Sequence, residues 1–283
     1  MKVASSVAEF EELREELTAG QPLARIGFVP TMGALHAGHL SLITLARSVC
    51  DLVVVSIFVN PLQFGPSEDY ALYPRTVETD LETCRHVGVD LVFTPTVADL
   101  YPAGRQITVS AGPIGSVFEG AARPGHFDGV LTVVLKLLHI VDPDIAVFGQ
   151  KDAQQLACVR RMVLDLNVDV QIVGAPIIRE PDGLALSSRN RFLTAADRRT
   201  ARALSAALRA AAAQPLPECA LAAADKILTA AADSGLDRDY LALVHPSTMT
   251  EVGPEHRGQA TMIVAAQVGA VRLIDNIELS FAG

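Results

Sequence analysis

The feature that most constrains the fold of this chain is an alternation of strand-like and helix-like segments over about its first 180 residues. Short runs rich in Val and Ile predict strands at residues 25–30, 52–59, 90–94, 145–148 and 170–178. Apolar residues recur at helical spacing between these runs, at residues 38–49, 76–87, 129–141 and 152–166. Strands that alternate with helices form a parallel sheet with right-handed crossovers. We therefore predict an α/β fold, a Rossmann-like doubly wound parallel sheet.

A change in composition near Asp182 indicates a second, smaller α+β domain. Two Ala-rich segments, residues 194–213 and 218–232, have helical spacing, and Thr194 with Asp197 is typical of a helix start. The tail then alternates, which predicts antiparallel strands at residues 240–244, 260–267 and 271–274. We expect the two domains to comprise residues 1–183 and 184–283.

The composition argues against several classes of protein. The chain has 283 residues, of which 50% are hydrophobic, and a net charge of −9, so it lacks the basic balance typical of nucleic-acid binding. Residues 1–16 are acidic and amphipathic, unlike a signal peptide, and the longest apolar run, residues 52–59, is too short to span a membrane. The cysteines lack metal-ligand spacing, and we expect Cys50 and Cys158 to be buried free thiols. We expect a cytoplasmic protein without nucleic-acid or membrane partners.

Residues 32–39, Met-Gly-Ala-Leu-His-Ala-Gly-His, connect the first predicted strand to the following helix. The start of a helix offers unpaired backbone N–H groups and a positive dipole, which suit a phosphate. His36 and His39 are three residues apart, so they share one face of the helix. Neutral imidazoles can donate to phosphate oxygens without placing a fixed cation in the site. The alternative is a helix start with two incidental histidines.

Polar residues follow four of the predicted strands. In an open parallel sheet, ligands bind outside the carboxyl ends of the strands, so these residues would meet at one edge. They are His36 and His39, then Asn60 and Gln63, then Gly149, Gln150, Lys151, Asp152 and Gln155, and finally Leu186, Ser187, Ser188 and Arg189. Unrelated surface residues would not all follow the carboxyl ends of strands, so this placement favours a ligand-binding site at this edge.

Several of these residues suit particular ligand groups. Lys151 lies at a predicted helix start, where the helix dipole disfavours a cation unless an anion binds there. Ser187, Ser188 and Arg189 offer hydroxyls and a guanidinium for phosphates. Gln63 and Gln155 are neutral amides that can bind a hydroxyl or carboxylate without acting as nucleophiles. Each has a plainer alternative: a solvated lysine beside Asp152, an ordinary polar loop, or surface amides.

Two further segments carry weaker signals. Asp80 with Glu82 suggests a solvated helix face, with a lesser chance of assisting Mg²⁺. Residues 123–127, Arg-Pro-Gly-His-Phe, are either a mobile loop near the site or a plain connector. No Ser/His/Asp triad, Cys nucleophile, metal cluster or Walker-type loop stands out in the sequence.

Taken together, the motifs resemble those of the pantoate–β-alanine ligase family almost from end to end. The matching segments are residues 30–39, 58–64, 73–76, 123–127, 148–152 and 182–190. His-x-Gly-His alone marks a wide nucleotidyltransferase superfamily that includes class I aminoacyl-tRNA synthetases, whereas the full set is specific to this family. There are two departures: Gln150 stands where many members carry Glu, and Ala153 stands where an aromatic residue is common.

The resemblance implies a reaction in two steps. The carboxylate of (R)-pantoate attacks the α-phosphorus of ATP, pyrophosphate leaves, and pantoyl-adenylate forms. The amine of β-alanine then attacks the acyl carbon, which gives pantothenate, a precursor of coenzyme A, and AMP. The resemblance also implies Mg²⁺, a homodimer and a cytoplasmic setting. We expect residues 1–183 to bind ATP and pantoate, and residues 184–283 to act as a lid on the dimer side.

The same resemblance assigns the site residues. ATP would be held by Met32, Gly33, Ala34, Leu35, His36, Ala37, Gly38, His39, Gly149, Gln150, Lys151, Asp152, Ile178, Leu186, Ser187, Ser188 and Arg189. Gln63 and Gln155 would hold pantoate, and Gln63 would also border the β-alanine site. The family pattern casts His39 as a proton donor. Because the chemistry asks mainly for charge stabilisation on phosphate, we expect the catalytic residues His36, His39 and Lys151 to act as stabilisers. No residue is assigned as a metal ligand.

Other functions remain open at this point. Another His-x-Gly-His nucleotidyltransferase could attach a nucleotide to a phosphate ester or NMN, although Gln63 and Gln155 favour a hydroxy acid. A tRNA synthetase is disfavoured by the acidic charge and by the lack of an anticodon-binding extension. A nucleotide sensor without turnover would not need two glutamines on the substrate side.

Overall fold

A computed structural model describes residues 1–65, 70–71, 73–102 and 106–282. The chain divides into two compact units. The parallel-sheet unit comprises Met1–Gly149 with Cys158–Ala175, and the antiparallel-sheet unit comprises Gln150–Ala157 with Pro176–Gly283. The expected division into functional domains at residues 183 and 184 stays a prediction.

The parallel-sheet unit is built on six strands. In chain order they are β1 (Lys2–Ala4), β2 (Ile26–Thr31), β3 (Leu52–Ile57), β4 (Leu91–Phe93), β5 (Ile145–Gly149) and β6 (Gln171–Ala175). Their spatial order is β1-β4-β3-β2-β5-β6, and every neighbouring pair is parallel. The strand order therefore reverses between β2 and β5, the arrangement at which open α/β sheets bind ligands. The predicted doubly wound parallel sheet is confirmed.

Helices connect these strands. They are α1 (Val7–Thr18), α2 (Ala37–Val49), α3 (Val77–His86), α4 (Val97–Leu100), α5 (Glu119–Ala122), α6 (His126–Val141) and α7 (Ala153–Asp165). All six residues of β3 are buried, as expected for a strand covered on both faces. At Gly27 of β2, a Cβ atom would lie 3.0 Å from Cys50 Sγ and 3.3 Å from Ala46 Cβ. The absence of a side chain there lets α2 pack closely on β2, which fixes the helix that follows the first strand.

The antiparallel-sheet unit contains the helices α8 (Ala195–Ala212) and α9 (Pro217–Ala232) and the strands β7 (Leu236–Val244), β8 (Gly258–Val268) and β9 (Val271–Phe281). The three strands pair in the order β7-β8-β9 and are antiparallel. Leu204 and Leu208 of α8, Leu228 of α9 and Met262 of β8 share one buried core. Thr194 and Asp197 cap α8 reciprocally, with Asp197 N donating to Thr194 Oγ1 at 3.1 Å. The predicted second α+β unit is therefore confirmed as an architecture.

Several element boundaries differ from the prediction. β1 lies within the segment predicted to be amphipathic and is not predicted as a strand. Its three residues are too few to show the alternation typical of a strand. β6 ends at Ala175 rather than Ile178. β9 runs to Phe281 rather than Ile274, because Asp275 and Asn276 interrupt its apolar alternation. No helix in the described part of the chain is long and apolar enough to cross a bilayer.

Candidate active site

The turn between β2 and α2 has an unusual backbone. Gly33 and Ala34 both have positive φ, at 82° and 51°. A Cβ atom on Gly33 would lie 3.0 Å from both Asp80 Oδ2 and Ile57 Cγ2, so glycine is required there for space as well as for conformation. Ala34 carries a side chain in the left-handed region, which costs about 1–2 kcal/mol. The surrounding structure must therefore hold this turn in place.

Asp80 of α3 supplies that support. Its side chain is buried, with 2% of its surface exposed. Its Oδ2 accepts from Ala34 N at 2.9 Å and from Thr76 Oγ1 at 3.1 Å, and its Oδ1 accepts from Leu35 N at 2.8 Å. The interpretation of Asp80 as part of a solvated helix face is wrong, because its side chain is buried and accepts from the N–H groups of Ala34 and Leu35. Periodicity within α3 carries no signal of such a contact.

His36 and His39 cap the start of α2 reciprocally. His36 Nδ1 accepts from Gly38 N at 3.1 Å, and His39 Nδ1 accepts from His36 N at 3.3 Å. Their ring centroids are 4.1 Å apart. A ring whose Nδ1 accepts an N–H carries its proton on Nε2 when it is neutral. Both histidines are therefore held in the tautomer that can donate from Nε2 beside a helix N-terminus.

Gln63 lies in a short 3-10 helix, Pro61–Gln63, directly after β3 and Asn60. Its Nε2 donates to Met32 Sδ at 3.1 Å, which joins this turn to the segment after β2. Asn60 is buried and donates to Gln63 Oε1 at 3.3 Å and to Gly129 O at 3.0 Å. Tyr101 donates its hydroxyl to Asn60 Oδ1 at 3.1 Å. The Gln63 side chain is therefore held in one orientation.

Residues 123–127 lie against this same turn. His126 Nδ1 is 2.8 Å from Gln63 O, and Arg123 donates to the same carbonyl at 3.3 Å. Arg123 and His126 are also 3.0 Å apart through NH1 and Nε2. His126 is buried and begins α6, following Gly125 with φ of 80°. This segment is therefore more than a plain connector, because it packs against Gln63, and its mobility stays a prediction.

In the antiparallel-sheet unit, the candidate residues form two segments. Gln150, Lys151 and Asp152 form the turn before α7, and Gln155 lies in the first turn of that helix. Ile178 accepts a hydrogen bond from Leu186 N at 2.9 Å, so those two candidates are adjacent. Ser187 caps a 3-10 helix, Ser188–Phe192, by accepting from Arg189 N at 3.3 Å.

The structure thus groups the candidate residues within each unit. In the parallel-sheet unit, residues 32–39 and Gln63 lie at the carboxyl ends of β2 and β3, and Gly149 ends β5. In the other unit, the structure places residues 150–152 and 155 in one segment and residues 178 and 186–189 in another. Sequence reasoning missed Tyr101 and the structural role of Asp80, since both act through long-range contacts. It also assigned no role to Thr76, whose hydroxyl donates to Asp80 within the same segment.

Among the described residues, no cluster of three or more His, Cys, Asp or Glu side chains is suited to hold a metal ion. Both oxygens of Asp80 already accept hydrogen bonds from the turn after β2 and from Thr76. The suggestion that Asp80 assists Mg²⁺ is therefore not supported by its surroundings.

Comparisons with known proteins agree with these features. A family model described as pantoate-beta-alanine ligase matches residues 2–278. Pantothenate synthetase of Acidothermus cellulolyticus is 55% identical, over 98% of this chain and 91% of that protein, and that of Thermobifida fusca is 57% identical over 94% of each. The crystal structure of pantothenate synthetase from Thermus thermophilus is 47% identical, with a TM-score of 0.89 over 98% of this chain and 99% of that one.

A further solved structure contains ligands. Pantoate-beta-alanine ligase from Francisella tularensis, complexed with beta-gamma ATP and beta-alanine, is 36% identical to this chain. Its TM-score is 0.81, and the match covers 98% of this chain and 97% of that one. These similarities do not support the alternative of a different His-x-Gly-His nucleotidyltransferase.

Proposed function

Since this chain belongs to the pantoate–β-alanine ligase family and has that activity, we propose that it acts through an acyl-adenylate. In the first step a carboxylate oxygen of (R)-pantoate forms a bond to the α-phosphorus of ATP, and the bond from that phosphorus to pyrophosphate breaks. In the second step the β-alanine nitrogen forms a bond to the acyl carbon, the bond from that carbon to AMP breaks, and the amine loses a proton.

The observation that carries this proposal is the reciprocal capping of His36 and His39. Each Nδ1 is occupied by a backbone N–H, so each neutral ring presents Nε2–H as a donor. These donors stand at the N-terminus of α2, where a phosphate is favoured by the helix dipole. They are preorganised for the negative charge that grows as pyrophosphate leaves. His39 therefore acts mainly as a charge stabiliser.

The remaining ATP contacts are assigned by the family pattern together with local geometry. In this proposal Gly33 and Ala34 shape the turn against the nucleotide, with their N–H groups held by Thr31 and Asp80. Lys151 adds a cation for the phosphates. The other proposed ATP residues are Met32, Leu35, Ala37, Gly38, Gly149, Gln150, Asp152, Ile178, Leu186, Ser187, Ser188 and Arg189. Ser187 and Arg189 form one capped turn, which suits wrapping of a phosphate chain.

Gln63 and Gln155 are proposed to bind pantoate, and Gln63 also to border β-alanine. Gln63 is supported by its fixed side chain, which contacts Met32 and Asn60. A neutral amide can orient a hydroxy acid without competing with its carboxylate for the phosphorus. Gln155 lies in the first turn of α7, four residues after Lys151, which suits a substrate next to the phosphates.

Three broader features belong to the same proposal. Mg²⁺ arrives as part of the substrate MgATP, because Mg²⁺ is usually bound through substrate phosphates with one or two carboxylates rather than in an all-protein cage. We also propose that the protein works as a homodimer in the cytoplasm, and that residues 184–283 act as a lid on the dimer side. Sedimentation equilibrium of the purified chain tests the dimer, and a monomer at micromolar concentration would reject it.

Exchange of labelled pyrophosphate into ATP tests the stepwise reaction. With ATP, Mg²⁺ and pantoate but no β-alanine, exchange is expected, because the first step is reversible on its own. Omitting pantoate should abolish the exchange. Exchange that requires β-alanine would contradict an acyl-adenylate intermediate.

A further inference from the structure

β9 carries two adjacent buried polar residues, Asp275 and Asn276, in a strand otherwise rich in apolar side chains. Only 3% of Asp275 and 4% of Asn276 is exposed. Consecutive residues of a strand point to opposite faces of the sheet, so these two side chains reach different surroundings. Buried polar groups are unfavourable unless they are hydrogen-bonded, so their partners show what they hold in place.

Asn276 binds the two backbone carbonyls on either side of the Lys151 Cα. Its Nδ2 donates to Gln150 O at 2.9 Å and to Lys151 O at 2.8 Å. Both hydrogens of the amide are used, and the two acceptors are consecutive carbonyls. The orientation of both peptide planes is therefore fixed, and with it the direction in which the Lys151 side chain leaves the backbone. Gln150 makes a second contact with this strand, donating from Nε2 to Glu278 Oε1 at 3.2 Å.

Asp275 holds a second segment of the same unit. It accepts from Arg179 in a two-pronged ion pair, at 2.7 Å from NH1 to Oδ2 and 3.0 Å from NH2 to Oδ1. Arg179 also donates to Gly183 O at 3.2 Å and to Asn276 O at 3.3 Å. Such a fork fixes the guanidinium in orientation as well as in position. The segment that begins at Ile178 is thereby tied to the same two residues of β9.

We propose that Asn276 is a positioning residue for Lys151, and that the Asp275–Arg179 pair fixes the neighbouring segment relative to it. A lysine ammonium is a point charge on a flexible stem, so its effect on a phosphate depends on where its backbone is held. Asn276 lies far along the chain from the His-x-Gly-His turn and acts through Lys151. This inference rests on the proposed function, because that proposal gives Lys151 its role.

A double-mutant cycle between Asn276 and Lys151 tests the inference. The measured quantity is the single-turnover release of pyrophosphate from ATP and pantoate, with thermal unfolding followed in parallel. Asn276→Ala is expected to slow adenylation about tenfold, since a small misplacement of a catalytic group is costly. In a Lys151→Ala background, the same substitution should change the rate less than about twofold, because coupled residues are not additive.

Gln267→Ala is the matched control. Gln267 lies in β8 of the same sheet, and its side-chain amide likewise donates to a backbone carbonyl, Gly269 O at 3.0 Å. It is expected to leave adenylation unchanged. If Asn276→Ala does not fold, Asn276→Ser replaces it, because serine keeps one hydrogen-bond donor in place of two. Its adenylation rate is then compared with and without Lys151 in the same way.

Two results would overturn the inference while leaving the proposed role of Lys151 intact. One is a rate within twofold of wild type for the folded Asn276 variant. The other is an effect of Asn276→Ala that is equally large with and without Lys151, which would indicate a general structural role. If Lys151→Ala alone keeps the wild-type rate, the proposed role of Lys151 fails and the inference fails with it. The single Lys151 variant therefore separates the two failures.

Discussion

Asp80 shows how a single buried carboxylate can shape a site without belonging to its motif. Its two oxygens accept from the backbone N–H groups of Ala34 and Leu35, and this stabilises a turn that is strained at Ala34. The proposed phosphate site depends on that turn, because it leads directly into the capped start of α2. The Asp80 carboxylate is therefore what holds Ala34 in its strained conformation.

Asp80→Asn should destabilise the protein by about 1–3 kcal/mol, since an amide cannot accept from both N–H groups and from Thr76. ATP affinity should fall with it, because the turn loses its anchor. Glu82→Gln is the control, as Glu82 lies on the same helix and is exposed. Urea unfolding and equilibrium ATP titration measure both effects. Equal behaviour of the two variants would contradict the anchoring role.

His39→Ala and Lys151→Ala should each lower the adenylation rate about 10²–10³-fold, or roughly 3–4 kcal/mol, the usual cost of losing a preorganised donor. His39→Ala also removes a cap of α2, so His39→Asn is the better test. Its side-chain oxygen can still accept from His36 N, whereas the Nε2–H is lost. Single-turnover rates within threefold of wild type would reject a direct role in charge stabilisation.

At the scale of elements, the start of α8 is tied to the preceding segment by a charge network. Arg198 donates from Nε to Asp182 Oδ2 at 2.8 Å and also pairs with Glu180. Hydrogen bonds from Arg198 hold the pKa of both carboxyls below their usual values. Glu180 in turn accepts from Asn190 at 2.7 Å, which links the network to the proposed phosphate-binding turn.

The pH dependence of stability follows from the sign of these shifts. Carboxyls with lowered pKa in the folded state stabilise it fully above their usual values of 4.5 for Glu180 and 3.8 for Asp182. That contribution is lost as the pH falls through the lowered values. Arg198→Met should therefore lower the midpoint temperature of thermal unfolding at pH 7. The difference in midpoint temperature between this variant and wild type should shrink below pH 4. A difference that is constant from pH 7 to pH 3 would contradict this.

The sequence predicts the elements with strong periodicity and misses those fixed by long-range contacts. The predicted bounds of β3, α2 and α8 agree with the structure to within two residues at either end, since each buries a continuous apolar run or stripe. β1 has only three residues, and its pairing with β4 supplies what its own pattern lacks. The His-x-Gly-His turn is visible in the sequence because its signal is local. The roles of Asp80 and Asn276 are not, because their partners lie elsewhere in the chain.

At the scale of the whole molecule, the strand order explains where the local motifs lie. The chain runs from β2 outward to β3 and β4, then crosses to β5 and β6 on the other side. The carboxyl ends of β2 and β5 therefore flank the reversal, and the first leads into the His-x-Gly-His turn while the second ends at Gly149. The polar clusters expected at one edge of the sheet follow from this order in the parallel-sheet unit.

The free thiols allow the two units to be followed separately. Cys50, Cys84 and Cys158 are buried in the parallel-sheet unit, and Cys219 is half-buried in the other. The burial of Cys50 and Cys158 agrees with the expectation from their apolar contexts. Burial raises the pKa of Cys84 to about 11 and that of Cys158 to about 12, and it raises the pKa of Cys50 as well. Thiolate is the reactive form of cysteine, so all three thiols should react slowly with an alkylating reagent at pH 8.

Alkylation of the native protein at pH 8 should therefore modify Cys219 first, while the other three react only after the parallel-sheet unit opens. With increasing urea, Cys50, Cys84 and Cys158 should become reactive together, because all three are buried in one compact unit that we expect to unfold cooperatively. Mass spectrometry of peptides after timed labelling gives the rate at each thiol. Saturating MgATP should delay the three buried thiols if the nucleotide binds the turn after β2, since a ligand of the folded state opposes unfolding. Labelling of Cys84 well before Cys50 and Cys158 would show that α3 opens on its own, which would also weaken the case for Asp80 as a permanent anchor of that turn.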